Sequence, residues 1–244
     1  MGKTKRVADA PPLGVWSITN GLVTVLGMTL AAALQHGTEV SRDLDVVELW
    51  SGVGSICGAA AASGYESMPY DLHRVPGVTD VDGENCEDIS SPAGFLKAVM
   101  LTLRVREGGL LAMGPDCSSF TFPNSSRHLR KVDNHWGDLG YMPVLVGNIS
   151  AIIAMFLFQL ALTRGVHSTV ENPPDSRIFH FWSETSKLLT LLQDSGACWS
   201  QTVHRCAYDS SRQPRLSNRL LYTSSLADVY VSVAIGCHRL MHNK

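Results

Sequence analysis

The segment that most constrains this chain is a short apolar run that breaks on glycines and restarts as small residues. Val46-Val47-Glu48-Leu49 reads as a buried strand, Ser51-Gly52-Val53-Gly54 as a tight turn, and Ile56 to Ser63 as a helix of small side chains able to pack closely on a sheet. Further along the chain the same alternation recurs. Glu66–Tyr70 reads as a second strand ended by Asp71, Pro92–Leu103 as a helix, and Gly109–Met113 as a strand ended by Gly114-Pro115-Asp116-Cys117. Ser150–Thr163 reads as a long buried helix, His167–Val170 as a strand ended by Glu171-Asn172-Pro173, and Ser183–Asp194 as a helix. Two strands with a shared turn are expected around Trp199–Ala207 and Arg219–Thr223. Strands alternating with helices predict an α/β fold, a mostly parallel sheet with helices on both faces.

The 244 residues suffice for one such domain with a sizeable core, and 45% hydrophobic against 17% charged residues is ordinary for a folded protein. Two units are expected: 1–43, a polar tail followed by a helix over Trp16–Gln35 and a polar link, and 44–244, the α/β domain. A formal charge of −2 argues against a chain that is basic throughout. Basic residues nevertheless cluster at Arg127, His128, Arg130 and Lys131, and again at Arg205, Arg212, Arg215 and Arg219. Brought together, the two segments would form one positive face, and Arg127, Arg130, Lys131 and Arg212 are its candidate nucleic-acid contacts. The alternative is ordinary solvated surface charge. Six cysteines without a C-x-x-C pairing fit a reducing compartment, and no metal site is expected, Cys237-His238 with His242 included. The apolar runs Leu22–Leu34 and Ile149–Leu162 fall short of the roughly 20 residues a membrane span needs, so both are expected to be buried helices rather than membrane segments.

In a doubly wound sheet, ligands bind outside the carboxyl ends of the strands, where strand order reverses. Five polar, glycine or proline features occur in succession: Ser51-Gly52-Val53-Gly54, Asp71, Asp88, Gly114-Pro115-Asp116-Cys117 and Glu171-Asn172-Pro173. Gly52 and Gly54 let backbone approach a ligand, and the helix after them would aim its N–H groups at an anionic group. Asp71, some twenty residues on, lies where an acid accepts hydrogen bonds from ribose hydroxyls, though a helix cap would use the same residue type.

At these positions the chain resembles the cytosine-5 DNA methyltransferase family. Glu48-Leu49-Trp50-Ser51-Gly52-Val53-Gly54 is similar to its D-L-F-S-G-x-G motif, Tyr70-Asp71 to its second motif and Asp88-Ile89 to its third. Gly114-Pro115-Asp116-Cys117-Ser118-Ser119-Phe120 resembles the catalytic G-P-P-C-Q-x-F motif, Glu171-Asn172-Pro173 the E-N-V motif, and Gln213-Pro214-Arg215 the Q-x-R motif. The resemblance runs from about Leu44 to Arg219. It implies a Rossmann-like fold that binds S-adenosylmethionine through Trp50, Ser51, Gly52, Gly54, Asp71, Asp88 and Pro115. It further implies a DNA or RNA substrate, with Cys117 as the nucleophile, Glu171 as the acid that contacts the base, and Arg215 in support.

The chain departs from the family pattern at Asp116 and Ser118, where the family has proline and glutamine. Asp116 puts a negative charge beside the thiol, which opposes its ionisation. Only about 25 residues follow Arg219, and no target-recognition domain is found. The family's C-terminal G-N helix motif has a counterpart at the front, in Ser17-Ile18-Thr19-Asn20-Gly21; this is either that motif in permuted order or an unrelated N-terminal helix. Three functions remain open: a cysteine-dependent cytosine methyltransferase, a degenerate relative that binds nucleic acid or cofactor without catalysis, and a Rossmann-type methyltransferase of another substrate.

Overall fold

A computed structural model describes residues 40–71, 88–122, 125–173, 175–186, 190, 193–196, 198–204 and 218–224. The expected N-terminal helix, the Ser17–Gly21 segment, the basic residues Arg205, Arg212 and Arg215, and the Cys237–His242 segment lie outside them.

The expected alternation is present. Strand β1 (Leu44–Leu49) leads through the glycine turn into α1 (Ser55–Ala62), β2 (Ser67–Tyr70), α2 (Pro92–Arg104) and β3 (Val105–Met113). The short α3 (Ser125–His128), α4 (Met142–Thr163), β4 (His167–Asn172), α5 (Ile178–Ser186), β5 (Cys198–His204) and β6 (Asn218–Ser224) follow. The sheet order is β2-β1-β3-β4-β6-β5. Strands β2, β1, β3 and β4 are parallel, and β6 lies antiparallel between β4 and β5. The fold is therefore α/β and Rossmann-like, with one reversed strand in an otherwise parallel sheet.

Alternate residues of a strand face opposite sides of a sheet, and here the two sides carry separate cores. Val46 and Leu110 pack with Ile56, Cys57 and Ala60 of α1. Val47, Leu49, Leu111 and Met113 pack on the other face, with Phe95 of α2, Leu157 and Phe158 of α4, and Phe181 and Trp182 of α5. At the amino ends of β1 and β3, Asp43 pairs with Arg104 at 2.5 Å and Asp45 with Arg106 at 2.6 Å.

Three elements begin earlier than their sequence suggests. Helix α4 starts at Met142 because Pro143 sits in its first turn, where a missing N–H costs nothing. At 22 residues it is long and apolar enough to cross a membrane, contrary to the expectation from the Ile149–Leu162 run alone. Its buried face, which includes Ala151, Ala154, Leu157 and Phe158, is instead part of the larger core. Helix α5 starts at Ile178 rather than Ser183, because Ile178, Phe181 and Trp182 have the i, i+3, i+4 spacing of one buried face. Strand β3 starts at Val105, with a register irregularity opposite β1 between Leu44 and Val46.

Gly94 couples this scaffold to the loop carrying Asp88, since a Cβ there would overlap the Asp88 carbonyl oxygen. Gly94→Ala is expected to destabilise the protein by about 1–3 kcal/mol, measured by denaturant unfolding, because the overlapped atom is backbone and cannot rotate away.

Candidate functional site

The strand register assembles the site. Leu49 pairs with Tyr70 and with Met113, and Met113 pairs with Val170. Strands β1, β2 and β3 thus end in step, followed by Trp50, Asp71 and Gly114, while β4 runs two residues further and carries Glu171 beside them. The order also reverses here: β2 lies on one side of β1 and β3 on the other. The crevice between the ends of β1 and β3 is the switch point at which open α/β sheets bind ligands.

Trp50, Gly52 and Gly54 all adopt left-handed backbone, with φ of 53°, 56° and 66°. Glycine takes this conformation freely, whereas a tryptophan stores about 1–2 kcal/mol of strain in it. The turn is held by three contacts. The Gly54 N–H donates to the Ser51 carbonyl at 2.8 Å, the Ser51 N–H to the Tyr70 carbonyl at 3.3 Å, and the Gly52 N–H to the Asp71 carboxylate at 2.7 Å.

Two N–H groups in the first turn of α1 are already bound within the chain. Those of Ile56 and Cys57 donate to Glu48 Oε2, at 3.1 and 2.9 Å, so the anion they bind is supplied by the chain. This corrects the expectation of an anion site there. Glu48 is a structural residue that sequence reading passed over, although an acid inside an apolar strand run was the available signal. Burial pushes its carboxyl above the ordinary range, against the opposing effect of the two backbone donors. The neighbouring Cys57 thiol is pushed up to about 12, first by burial and then by the Glu48 charge.

A cleft of about 250 Å³ opens beside the turn. Trp50, Asp71 and Asp88, three of the expected cofactor residues, line it together with Tyr70, Ile89 and Ser90. Asp116 from the loop after β3, and Val146 and Ser150 from α4, complete it; the two α4 residues were not anticipated as cleft residues. Ser51 and Pro115 are buried, and Ser51 Oγ finds no hydrogen-bond partner among the described residues. Asp116 is tied to its own loop, accepting from the Ser118 N–H at 3.0 Å and the Ser118 hydroxyl at 2.7 Å.

The loops bearing Cys117 and Glu171 are joined directly. The Asn172 side-chain amide donates to the Pro115 carbonyl at 3.1 Å, and a Cβ on Gly114 would lie 3.8 Å from Glu171 Oε2. Cys117 is half-buried and opens a turn closed by the Phe120 N–H donating to its carbonyl at 2.9 Å. Beneath that turn lies Arg130, and here the expectation of a nucleic-acid contact is wrong. Arg130 is only 2% exposed. Its guanidinium stacks 3.7 Å from the Phe120 ring and donates to the Ser119 carbonyl, the His135 carbonyl and Asn148 Oδ1 at 2.8, 2.6 and 2.8 Å. A cation so enclosed has no face for a phosphate. Burial lowers its pKa to about 9, still above neutrality. His128 is also buried, accepting the Arg130 N–H on Nδ1 at 3.0 Å. Arg127 and Lys131 are exposed.

Two substitutions check this arrangement. Arg130→Ala removes the donor to several buried acceptors and is expected to cost about 3 kcal/mol or more in denaturant unfolding. For Glu48→Gln, the raised folded-state pKa sets the sign. The stability of the wild type relative to the variant is greatest below the ordinary glutamate value and is lost as pH rises through the raised one, read from paired unfolding curves.

No protein-family model matches the chain, and no curated protein matches it. Among solved structures it is similar to the Entamoeba histolytica methyltransferase EhMeth, at 13% identity and a TM-score of 0.46 over 77% of this chain and 54% of that one. It is also similar to S. pombe Dnmt2 methyltransferase, at 12% identity and a TM-score of 0.42 over 76% and 51%. A Spodoptera frugiperda DNMT2 mutant gives 17% identity and a TM-score of 0.39 over 74% and 49%. The chain spans about half the length of these structures, and likeness at this level leaves the chemistry to the chain's own residues.

Proposed function

We propose that this chain is an S-adenosylmethionine-dependent methyltransferase that modifies C5 of cytosine in DNA or RNA through Cys117. The observation that carries this reading is the juxtaposition at one sheet edge. The glycine turn, Asp71 and the loop of Cys117 follow strands that end in step, and Glu171 sits at the end of the neighbouring β4, joined to the Cys117 loop through Asn172.

The cleft suits an adenosine-containing cofactor. Trp50, Tyr70, Ile89 and Val146 offer apolar surface to a flat base, while Asp71 and Asp88 offer acceptors for hydroxyl and amino groups. A carboxylate has about four acceptor positions, so Asp71 can hold the Gly52 N–H and take a ribose hydroxyl as well. The buried Ser51 hydroxyl is available to the amino-acid end. S-adenosylmethionine would supply an electrophilic methyl group beside Pro115 and Cys117.

C5 of cytosine is a weak nucleophile until a thiolate adds at C6. Cys117 would provide that thiolate and, half-buried at a loop, can meet a base only when the base is unpaired or flipped from a duplex. Glu171 would hold N3 and the exocyclic amine, stabilising the charge that builds on the ring as sulfur adds. The Asn172 bond to the Pro115 carbonyl would keep thiol and carboxyl loops in a fixed relation. Arg130 would act as a positioning residue beneath the thiol loop. Arg215 remains the proposed support for this site, and Arg127, Lys131 and Arg212 the proposed backbone contacts.

Asp116 favours a second reading. Its carboxylate lines the cleft one residue from the thiol, where it opposes thiolate formation; the chain would then bind cofactor or nucleic acid without transfer.

Incubation with labelled cofactor and fluorocytosine-containing DNA or RNA separates the readings. A covalent adduct absent in Cys117→Ser, with a loss of about 10²–10⁴-fold in rate for Glu171→Gln, is expected for the enzyme. Cofactor binding without an adduct would support the second reading. Methyl transfer that survives Cys117→Ser would point to a different substrate chemistry.

A further inference from the structure

Helical serines and threonines in this protein commonly bond the carbonyl one turn back. Ser63 donates to the Ala59 carbonyl, Thr102 to Ala98, Ser183 to Phe179 and Ser186 to Trp182, at 2.8–3.3 Å. That bond satisfies a hydroxyl that would otherwise lack a partner inside a helix. Thr185 and Ser150 depart from the pattern, and of the two it is Ser150 that lines the cleft. It lies in α4, is 2% exposed, and its Oγ has no hydrogen-bond partner among the described residues, its own Val146 carbonyl included. Leaving a buried hydroxyl unpaired is unfavourable. Yet Ser150 and Val146, one turn apart on the same helix face, line the cleft that also holds Asp71, Asp88 and Asp116.

We propose that Ser150 is a ligand-binding residue of this cleft, its hydroxyl donating to a ring nitrogen of the bound adenine base. This rests on the cofactor reading above. A group so thoroughly removed from water meets the part of a ligand that enters deepest. In a nucleoside cofactor that part is the base, which is flat, uncharged and rich in ring-nitrogen acceptors. The charged amino-acid end is costly to desolvate and stays with the glycine turn. The apolar surface of Ile89 and Val146 in the same cleft suits the faces of a purine. Ser150 would then discriminate by hydrogen bonding, because a site built to bond a base nitrogen is left with an unpaired buried hydroxyl when the wrong group arrives.

The test uses the full chain and three probes: S-adenosylmethionine, S-adenosylhomocysteine and adenosine, each titrated by calorimetry, with thermal unfolding of the ligand-free protein alongside. Ser150→Ala deletes an unsatisfied hydroxyl, so the ligand-free protein is expected to melt at the same temperature or a few degrees higher. The same variant is expected to bind all three probes about 5–30-fold more weakly. Ser150→Cys, which keeps the shape with a weaker donor, falls between. Opposite signs for ligand-free stability and affinity are what a purely structural serine would not produce. Unchanged affinity in Ser150→Ala overturns the proposal and leaves the cofactor reading intact. A loss confined to the two methionine-derived probes overturns the assignment to the base. If the wild type binds none of the three, the cofactor reading fails and the proposal falls with it.

Discussion

The site depends on the register of four parallel strands, three of which end at the same height while β4 runs two residues further. Strand register is set by hydrogen bonds along the length of each pair, so the ends of β1, β2, β3 and β4 cannot be adjusted one at a time. With Leu49, Tyr70, Met113 and Val170 in step, four loops far apart in the chain emerge side by side. Their chemistry is short-range, and this alignment sets the glycine turn, Asp71, the loop of Cys117 and the end of β4 with Glu171 side by side, while Trp50, Asp71, Asp88 and Asp116 line the cleft itself. The ion pairs Asp43–Arg104 and Asp45–Arg106 brace the opposite ends of β1 and β3, away from the crevice.

Much of the polar machinery is directed inward. Glu48 occupies the N-terminus of α1, Asp71 latches Gly52, and Asp116 caps Ser118. Asp71 and Asp116 still line the cleft, while Glu48 serves the scaffold alone. The left-handed backbone at Trp50 lies between β1 and a turn whose Ser51 and Gly52 N–H groups are held by Tyr70 and Asp71. Beneath the thiol loop, a single buried guanidinium plays the part that an apolar plug would play elsewhere, satisfying carbonyls that the turn leaves unpaired. An arginine is suited to this because its planar fork reaches several acceptors and stacks on Phe120 at once.

Most of the strand–helix alternation was legible, because hydrophobic period and glycine punctuation are local properties. Val46–Leu49, Ile56–Ser63 and Gly109–Met113 are short segments whose type follows from their own side chains. The element starts at Met142 and Ile178 were not, since a proline in a helix's first turn and an aromatic-rich helix look, locally, like a break and a strand. The positions of the glycine turn and of Asp71 at strand ends were legible for the same local reason. Arg130 was not: beside Arg127 and Lys131 in sequence it reads as part of a basic patch, and nothing local says that it turns inward.

By itself, then, the chain's order of residues determined which segments would be strands, which loops would carry reactive groups, and that those loops would follow strands. Only the tertiary structure decided which groups face the cleft and which face the protein. Glu48, Arg130 and Ser150 are all polar residues, and composition does not tell which of them face inward. Packing separates them, because burial forces each polar atom to find a partner. Glu48 found backbone donors, Arg130 found carbonyls, and Ser150 found none within the described protein. That difference depends on contacts between residues distant in sequence, which no local pattern encodes.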